Sequence, residues 1–455
     1  MKISRSTLVD EHNTDHDELL ISGDGAPAPL ATAMLEEAIA NASTYAELNS
    51  MAYLDLEGAY REAEACDREA RQGSRRGPLH GIPVTIKDLY AVSGMPTKAG
   101  TKATIGLQCG PEATAVKRLR AAGAVLLGKT NMHEVALGLT GENEWTGDVL
   151  NPHDPTRMAG GSSSGSAVAV ATGIGVASLA TDTAGSIRLP ASFCGVVGFK
   201  PSFGWVPLDG ALALSPSCDH GGPIARNVHN ARRLYEVLAD SKFARDGLRS
   251  LTDVRIGIPV DFLDGRLCRD VRLAFESLQR RLEERGAEVR RVSLRMPENI
   301  AGMQANACWP EAYRIHEEAL AREPQNFSAK VRTALEYGRD VRAHQFLAAR
   351  EERRASASAI HRGFMSGLDV LLVPASPVAA PKRGTTTVEI EAGTVLLRDA
   401  LLPLLAPFSL AGVPVVSLPF AIVDGLPVNV QVIAARSNDA RCLDIASLIE
   451  NIATF

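Results

Sequence analysis

Apolar residues along the chain recur with two periods, and the switches between them mark out elements. From Leu30 to Ala70 the pattern is mostly helical and rich in Ala, Leu and Glu. Ile82–Ile86 is a short β-branched run behind a Gly/Pro turn, which predicts a strand with Lys87 at its C-terminal end. A helix is expected over Thr114–Ala122 and a strand over Val125–Leu127, with Gly128-Lys-Thr-Asn-Met opening the next element. Phe193–Lys200 is apolar, Pro201–Asp219 reads as a loop, and Gly221–Arg226 leads into a helix through Val237. Residues 254–260 and 288–294 read as strands around a 3.6-period helix, Asp270–Arg285, stopped at Gly286. Residues 300–366 are mostly helical. Strands over Val370–Val373, Val413–Pro419 and Val428–Ile433 precede a final helix. This alternation predicts an α/β fold whose helices cover a largely buried sheet. One domain is expected over residues 28–455, after a loose polar arm, residues 1–27.

One stretch departs from both periods. Gly160–Pro190 holds two small-residue loops, Gly160–Ser166 and Thr181–Arg188, separated by an apolar run. Each loop offers backbone N–H groups with little side-chain cover and serine hydroxyls suited to nucleophilic or proton-carrying work. Such a pair of loops points to a catalytic centre.

Bulk properties narrow the alternatives. With 455 residues, 45% of them hydrophobic, the chain can bury a large core. A net charge of −5 gives no polycation for direct nucleic-acid or anionic-membrane binding. Apolar runs such as Ala167–Ala171 fall short of the ~20 residues that span a bilayer. The polar N-terminus is not a secretory signal. Seven scattered cysteines with no CxxC pair suit free thiols in a reducing cytoplasm. His12 and His16 stand at i, i+4 without a third ligand of suitable spacing, so neither a metal nor a cofactor is expected.

Several motifs compete for the chemistry. Gly123 to Thr130 matches the letters of a phosphate loop, but a buried-strand run fills the interval where that loop needs its strand beforehand. Gly161-Ser-Ser-Ser-Gly165 matches the GxSxG nucleophile elbow with Ser163 at its centre, yet NPHDPTRMAG supplies no strand entering it. A non-catalytic anion-binding glycine loop leaves Lys87 and the second serine loop without roles. On its own stretch Lys87 reads first as a lysine whose stem runs to the surface. A lysine–serine relay uses both loops and Lys87, provided the amine is neutral, with a pKa far below the ordinary ~10.4. Apolar neighbours such as Ile86 and Leu89 push that way. Thr183-Ala184-Gly185-Ser186 offers consecutive N–H groups for an acyl-transfer oxyanion.

Across most of its length the chain resembles the amidase signature family of serine amidohydrolases. The resemblance is carried in order by Gly81-Ile-Pro-Val-Thr-Ile-Lys87-Asp, Gly128-Lys-Thr-Asn-Met, Asn151-Pro through Arg188-Leu-Pro, Phe193-Cys-Gly-Val-Val-Gly-Phe-Lys-Pro, Asp219-His-Gly-Gly-Pro-Ile-Ala-Arg226 and Gly425-Leu-Pro-Val-Asn-Val-Gln431. It implies a single α/β domain with a mixed central β-sheet surrounded by helices. It also implies amide hydrolysis through a serine acyl-enzyme, with Lys87 as base, Ser162 as the bridging serine after a cis peptide bond, and Ser186 as nucleophile. Thr183, Ala184, Gly185 and Ser186 fall on the oxyanion loop, and Ser163, Asp182 and Arg188 on supporting positions. Ala184 and Ser164 stand where glycine is frequent, and Ser409 and Asn429 where Asn and Gly are, which suggests a narrower pocket. His133 is a candidate pocket contact. The resemblance leaves two activities open. One is a stand-alone amidase acting on a small-molecule amide, with a homodimer allowed. The other is the A subunit of a tRNA-dependent amidotransferase, which works with partner subunits; the helical segment 300–366 favours the first.

Overall fold

The computed structural model describes residues 30–105, 111–242 and 248–452; the loose arm expected over residues 1–27, with His12 and His16, lies outside them. The core is one eleven-stranded mixed sheet. Its strands are β1 (Met51–Leu54), β2 (Pro83–Lys87), β3 (Val125–Thr130), β4 (Ala177–Asp182), β5 (Val197–Lys200), β6 (His220–Ala225), β7 (Arg255–Pro259), β8 (Glu288–Val292) and β9 (Val370–Pro374). A separate hairpin, β10 (Thr387–Ile390) and β11 (Gly393–Leu396), precedes β12 (Val415–Val423) and β13 (Leu426–Ala434). The spatial order is β1-β3-β2-β4-β6-β5-β12-β13-β9-β7-β8. β2 runs parallel to both β3 and β4, whereas β6 is antiparallel to β4 and β5.

Burial follows from this order. β2, β3, β4, β5, β6, β9 and β13 are buried at every position, because helices cover both faces of the sheet. The helix Ser164–Ala171 is buried along seven consecutive residues, Ser164–Val170, and apolar or small throughout, so it serves as a core element rather than an amphipathic cover.

Four expectations need correction. The helical reading of Leu30–Ala70 divides into two helices, Ala31–Thr44 and Leu56–Arg71, with β1 between them. β3 does not stop at Leu127 but runs through Gly128, Lys129 and Thr130, so the phosphate-loop letters lie inside a strand. Gly128 permits the pairing with β1: a Cβ there would stand 2.1 Å from the Tyr53 carbonyl oxygen. Gly221–Arg226, read as a lead into a helix, lies mostly within β6 (His220–Ala225), and the helix begins at Val228. Finally, Lys87 does not reach the surface; it is fully buried on β2.

Candidate active site

Lys87 ends β2 at a place where β3 and β4 flank it, so its amine has no route to water. Nζ donates to Ser162 Oγ at 2.7 Å and to Thr181 Oγ1 at 2.9 Å. Burial lowers its pKa to about 7, against the opposing fields of Asp182 and Asp219. Depression alone does not mark a catalytic lysine. Lys200 is equally buried and also lowered to about 7, with burial the largest cause, but among the described residues its amine donates to the carbonyls of Pro201 and Val413 and to no hydroxyl. What distinguishes Lys87 is a hydroxyl that can exchange a proton with it.

That hydroxyl belongs to Ser162, which follows a cis Gly161–Ser162 peptide bond. Its carbonyl accepts from the His133 N–H at 3.0 Å. Ser163 turns its hydroxyl away from the cavity and donates to the Thr181 carbonyl at 3.1 Å, while its N–H donates to the Ser186 carbonyl at 3.3 Å. No hydrogen bond joins the Ser162 and Ser186 hydroxyls here; the two loops are tied through Ser163 and Thr181.

Ser186 lies on a cavity of about 440 Å³ with Thr183 and Ala184. The loop holding it is shaped by Asp182. Oδ1 accepts from the Gly185 N–H at 2.8 Å and Oδ2 from the Ile187 N–H at 3.1 Å. Of the four N–H groups expected to face an oxyanion, that of Gly185 is therefore committed elsewhere. Its role is conformational: φ is +121°, and an added Cβ would meet Leu405 Cδ1 at 2.7 Å. Among the described residues, the N–H groups of Ala184 and Ser186 are left without an intramolecular acceptor. Ala184 does not take up a positive φ, so its Cβ fits where glycine was expected.

Asp182 pairs in turn with Arg188, both fully buried. Burial by itself would raise the Asp182 pKa, but the charge and hydrogen bonds of Arg188 outweigh it and hold the carboxyl well below the usual range. Arg188 also donates to Ser409 Oγ at 2.6 Å, Gln431 Oε1 at 2.6 Å and the Leu405 carbonyl at 3.1 Å. Ser409 completes the ring by donating to Asp182 Oδ1 at 2.8 Å. Removing one member of such a pair leaves a buried charge unpaired, at about 3–5 kcal/mol. Arg188→Met is therefore expected to lower the free energy of unfolding by about that much, and the urea midpoint with it, and to yield little soluble protein, as equilibrium denaturation will show.

Several site residues carry no sign of their role in the sequence. Thr181 stands in the second loop as an ordinary small residue, yet it is the second acceptor for Lys87. Asp219 accepts from Thr183 Oγ1 at 2.6 Å and from the N–H groups of Leu214 and Ser215, and burial pushes its pKa up to about 6 against those bonds. Trp309, Gln304, Lys330 and Arg398 line the cavity above Ser186; the first three come from the helical segment 300–366. His133, expected as a pocket contact, does line the cavity. It is buried, its pKa is pushed down to about 4 by that burial, and its Nδ1 has no partner among the described residues. Among the described residues no cluster of His, Cys, Asp or Glu is built to hold a metal.

Known proteins resemble this chain in sequence and fold. The family described as Amidase matches residues 33–443. Over 422 residues the chain is 35% identical to the A subunit of a glutamyl-tRNA(Gln) amidotransferase from Symbiobacterium thermophilum, covering 84% of this chain and 85% of that one. It is 32% identical over 452 residues to AtzE, a 1-carboxybiuret hydrolase subunit of Pseudomonas sp. strain ADP, covering 95% and 97%. A crystal structure of an amidase superposes with a TM-score of 0.90 at 48% identity, covering 96% and 98%. The peptide amidase of Stenotrophomonas maltophilia does so at 0.80 and 27%, covering 98% of each. Fold and relatives together define an amide-hydrolysing enzyme. The chain belongs to the amidase signature family.

Proposed function

We propose that this enzyme hydrolyses the C–N bond of a small carboxamide through an acyl-enzyme on Ser186, with Lys87 and Ser162 as its proton relay. The observation that carries the reading is the 2.7 Å contact between Ser162 Oγ and a buried lysine whose pKa is about 7. With the amine neutral, that contact runs with the hydroxyl donating. Ser162 passes its proton to Lys87 Nζ and takes the one from Ser186 Oγ as that oxygen attacks the amide carbon. The N–H groups of Ala184 and Ser186 receive the negative charge that develops on the carbonyl oxygen. When the C–N bond breaks, the protons return through Ser162 to the departing amine. Water then attacks the acyl carbon by the same relay, releasing the carboxylic acid and the free serine.

The acyl group occupies the cavity walled by Leu137, Leu139, Trp309, Leu401 and Leu402. The segment 300–366 supplies part of that wall from the same chain, which favours a stand-alone hydrolase. A second reading, as the A subunit of a tRNA-dependent amidotransferase, is supported by the 35% identity to such a protein. The purified chain tested by itself on an amide panel, with ammonia detection, separates them. Hydrolysis of small amides by the chain alone supports the first. Glutaminase activity that appears only with partner subunits supports the second. A fluorophosphonate probe is expected to label Ser186 in intact protein; peptide mass spectrometry finding the adduct on Ser163 would overturn the assignment. The free thiols of the described cysteines fit work in a reducing cytoplasm. No helix among the described residues is long and apolar enough to cross a membrane.

A further inference from the structure

A second cavity, of about 380 Å³, shares no lining residue with the one over Ser186. Four arginines edge it: Arg350, Arg353 and Arg354 from the helix Ala343–Met365, and Arg436 just beyond β13. No carboxylate lines it, and among the described residues none of the four arginines makes an ion pair. In a chain of net charge −5, four guanidinium groups without carboxylate partners around one hollow repel each other and draw in an anion.

The four divide into a fixed wall and an exposed rim. Arg353 is locked without a carboxylate partner among the described residues. Its Nε donates to the Leu410 carbonyl at 2.8 Å, Nη2 to the Ser217 carbonyl at 2.7 Å, and Nη1 to Ser217 Oγ at 3.1 Å and Cys218 Sγ at 3.3 Å. Its orientation is set in advance, and no carboxylate pairs with it among the described residues. Arg350, Arg354 and Arg436 are exposed, Arg350 lying over the Phe346 ring at 5.8 Å. Phe203, Leu410 and Ala411 give the hollow an apolar floor.

We propose that this cavity is a binding site for a small polyphosphate-bearing anion. A single carboxylate would leave most of the positive charge unmatched, whereas a di- or triphosphate carries several negative charges with the tetrahedral oxygens that guanidinium forks grip in pairs. The volume lies in the range of small-molecule sites, about 300–1,000 Å³. A nucleoside triphosphate and an inorganic tripolyphosphate share this chemistry.

The test is calorimetry and thermal shift on the full chain with ATP and with tripolyphosphate. Both are expected to bind and to raise the melting temperature, more weakly as salt rises. The variant Arg350→Ala/Arg354→Ala/Arg436→Ala is expected to lose at least about tenfold in affinity while keeping its amidase rate and ligand-free melting temperature, since all three side chains are exposed. ATP binding more tightly than tripolyphosphate, with the gain lost in Phe203→Ala, assigns the site to a nucleoside phosphate; equal binding assigns it to the phosphate chain alone. Three results overturn the proposal: no binding of either anion at low salt, unchanged affinity in the triple variant, or tighter binding of a single-stranded RNA oligonucleotide that the same variant abolishes. None depends on the chemistry at Ser186.

Discussion

Ser186→Ala is expected to lower kcat for amide hydrolysis by about 10⁴-fold or more, the scale seen when a serine enzyme loses its nucleophile. The fold should be untouched. Among the described residues the Ser186 hydroxyl makes no hydrogen bond to protein, so truncation orphans no partner, and the N–H groups of the loop remain in place. An unfolding free energy within the ~0.5 kcal/mol of the wild type that is typical of a quiet substitution separates lost chemistry from lost structure. Ser162→Ala should be as inactive but less innocent, because Lys87 Nζ then keeps only Thr181 as a side-chain partner. Residues that act as one unit do not add. The double variant Ser162→Ala/Ser186→Ala should thus be no slower than either single one. A Ser186→Ala enzyme that still turns over an amide the wild type cleaves would remove Ser186 from the mechanism.

Much of this was legible in the sequence, for reasons that differ between elements. β9 was readable because a central strand covered on both faces is apolar along its length, and β2 and β13 because Val- and Ile-rich runs follow a Gly/Pro turn, even though β13 also carries Asn429 and Gln431. β6 was not. His220-Gly-Gly-Pro-Ile-Ala has two glycines and a proline, all poor strand formers, and extends only because β4 and β5 hydrogen-bond to it from either side. β1 was hidden by its short length and exposed edge between two strong helices. The same distinction holds at the site. Both serine loops stand out in sequence because small residues are rare at that density. Lys87, by contrast, looks like a surface lysine until its strand is known to lie between β3 and β4. Ser409 and Gln431, which hold Arg188, come from 221 and 243 residues away and carry no local sign of that work. The walls of the cavity were legible as helices but not as walls, since which face a helix presents to a distant loop is a tertiary fact.

Lys87→Met should abolish activity and at the same time stabilise the protein at neutral and lower pH. A lysine brought from 10.5 to about 7 by burial costs folding on the order of 5 kcal/mol once the pH is below 7, before its hydrogen bonds to Ser162 and Thr181 offset part of that. The sign follows from proton counts. Between about pH 7 and 10.5 the unfolded chain holds a proton on this amine that the folded chain lacks, so wild-type stability rises with pH across that window. Below pH 7 both states are protonated and the cost is constant; above 10.5 it is gone. Methionine fills a similar volume without charge, at the loss of the hydrogen bonds the two hydroxyls receive. The excess stability of the variant should therefore be largest at pH 6 and shrink steadily towards pH 10. Lys200 titrates in the same window, but it is present in both proteins, so the difference between them isolates Lys87. Activity should mirror this: kcat/KM of the wild type is expected to rise with pH through an apparent pKa of about 7, because only the neutral amine accepts the Ser162 proton. Calorimetric melting of both proteins across that range, beside a pH–rate profile, reads the two effects independently. A variant less stable than the wild type at pH 6, together with a rate that is flat from pH 6 to 9, would show that Lys87 is a buried structural cation rather than the base.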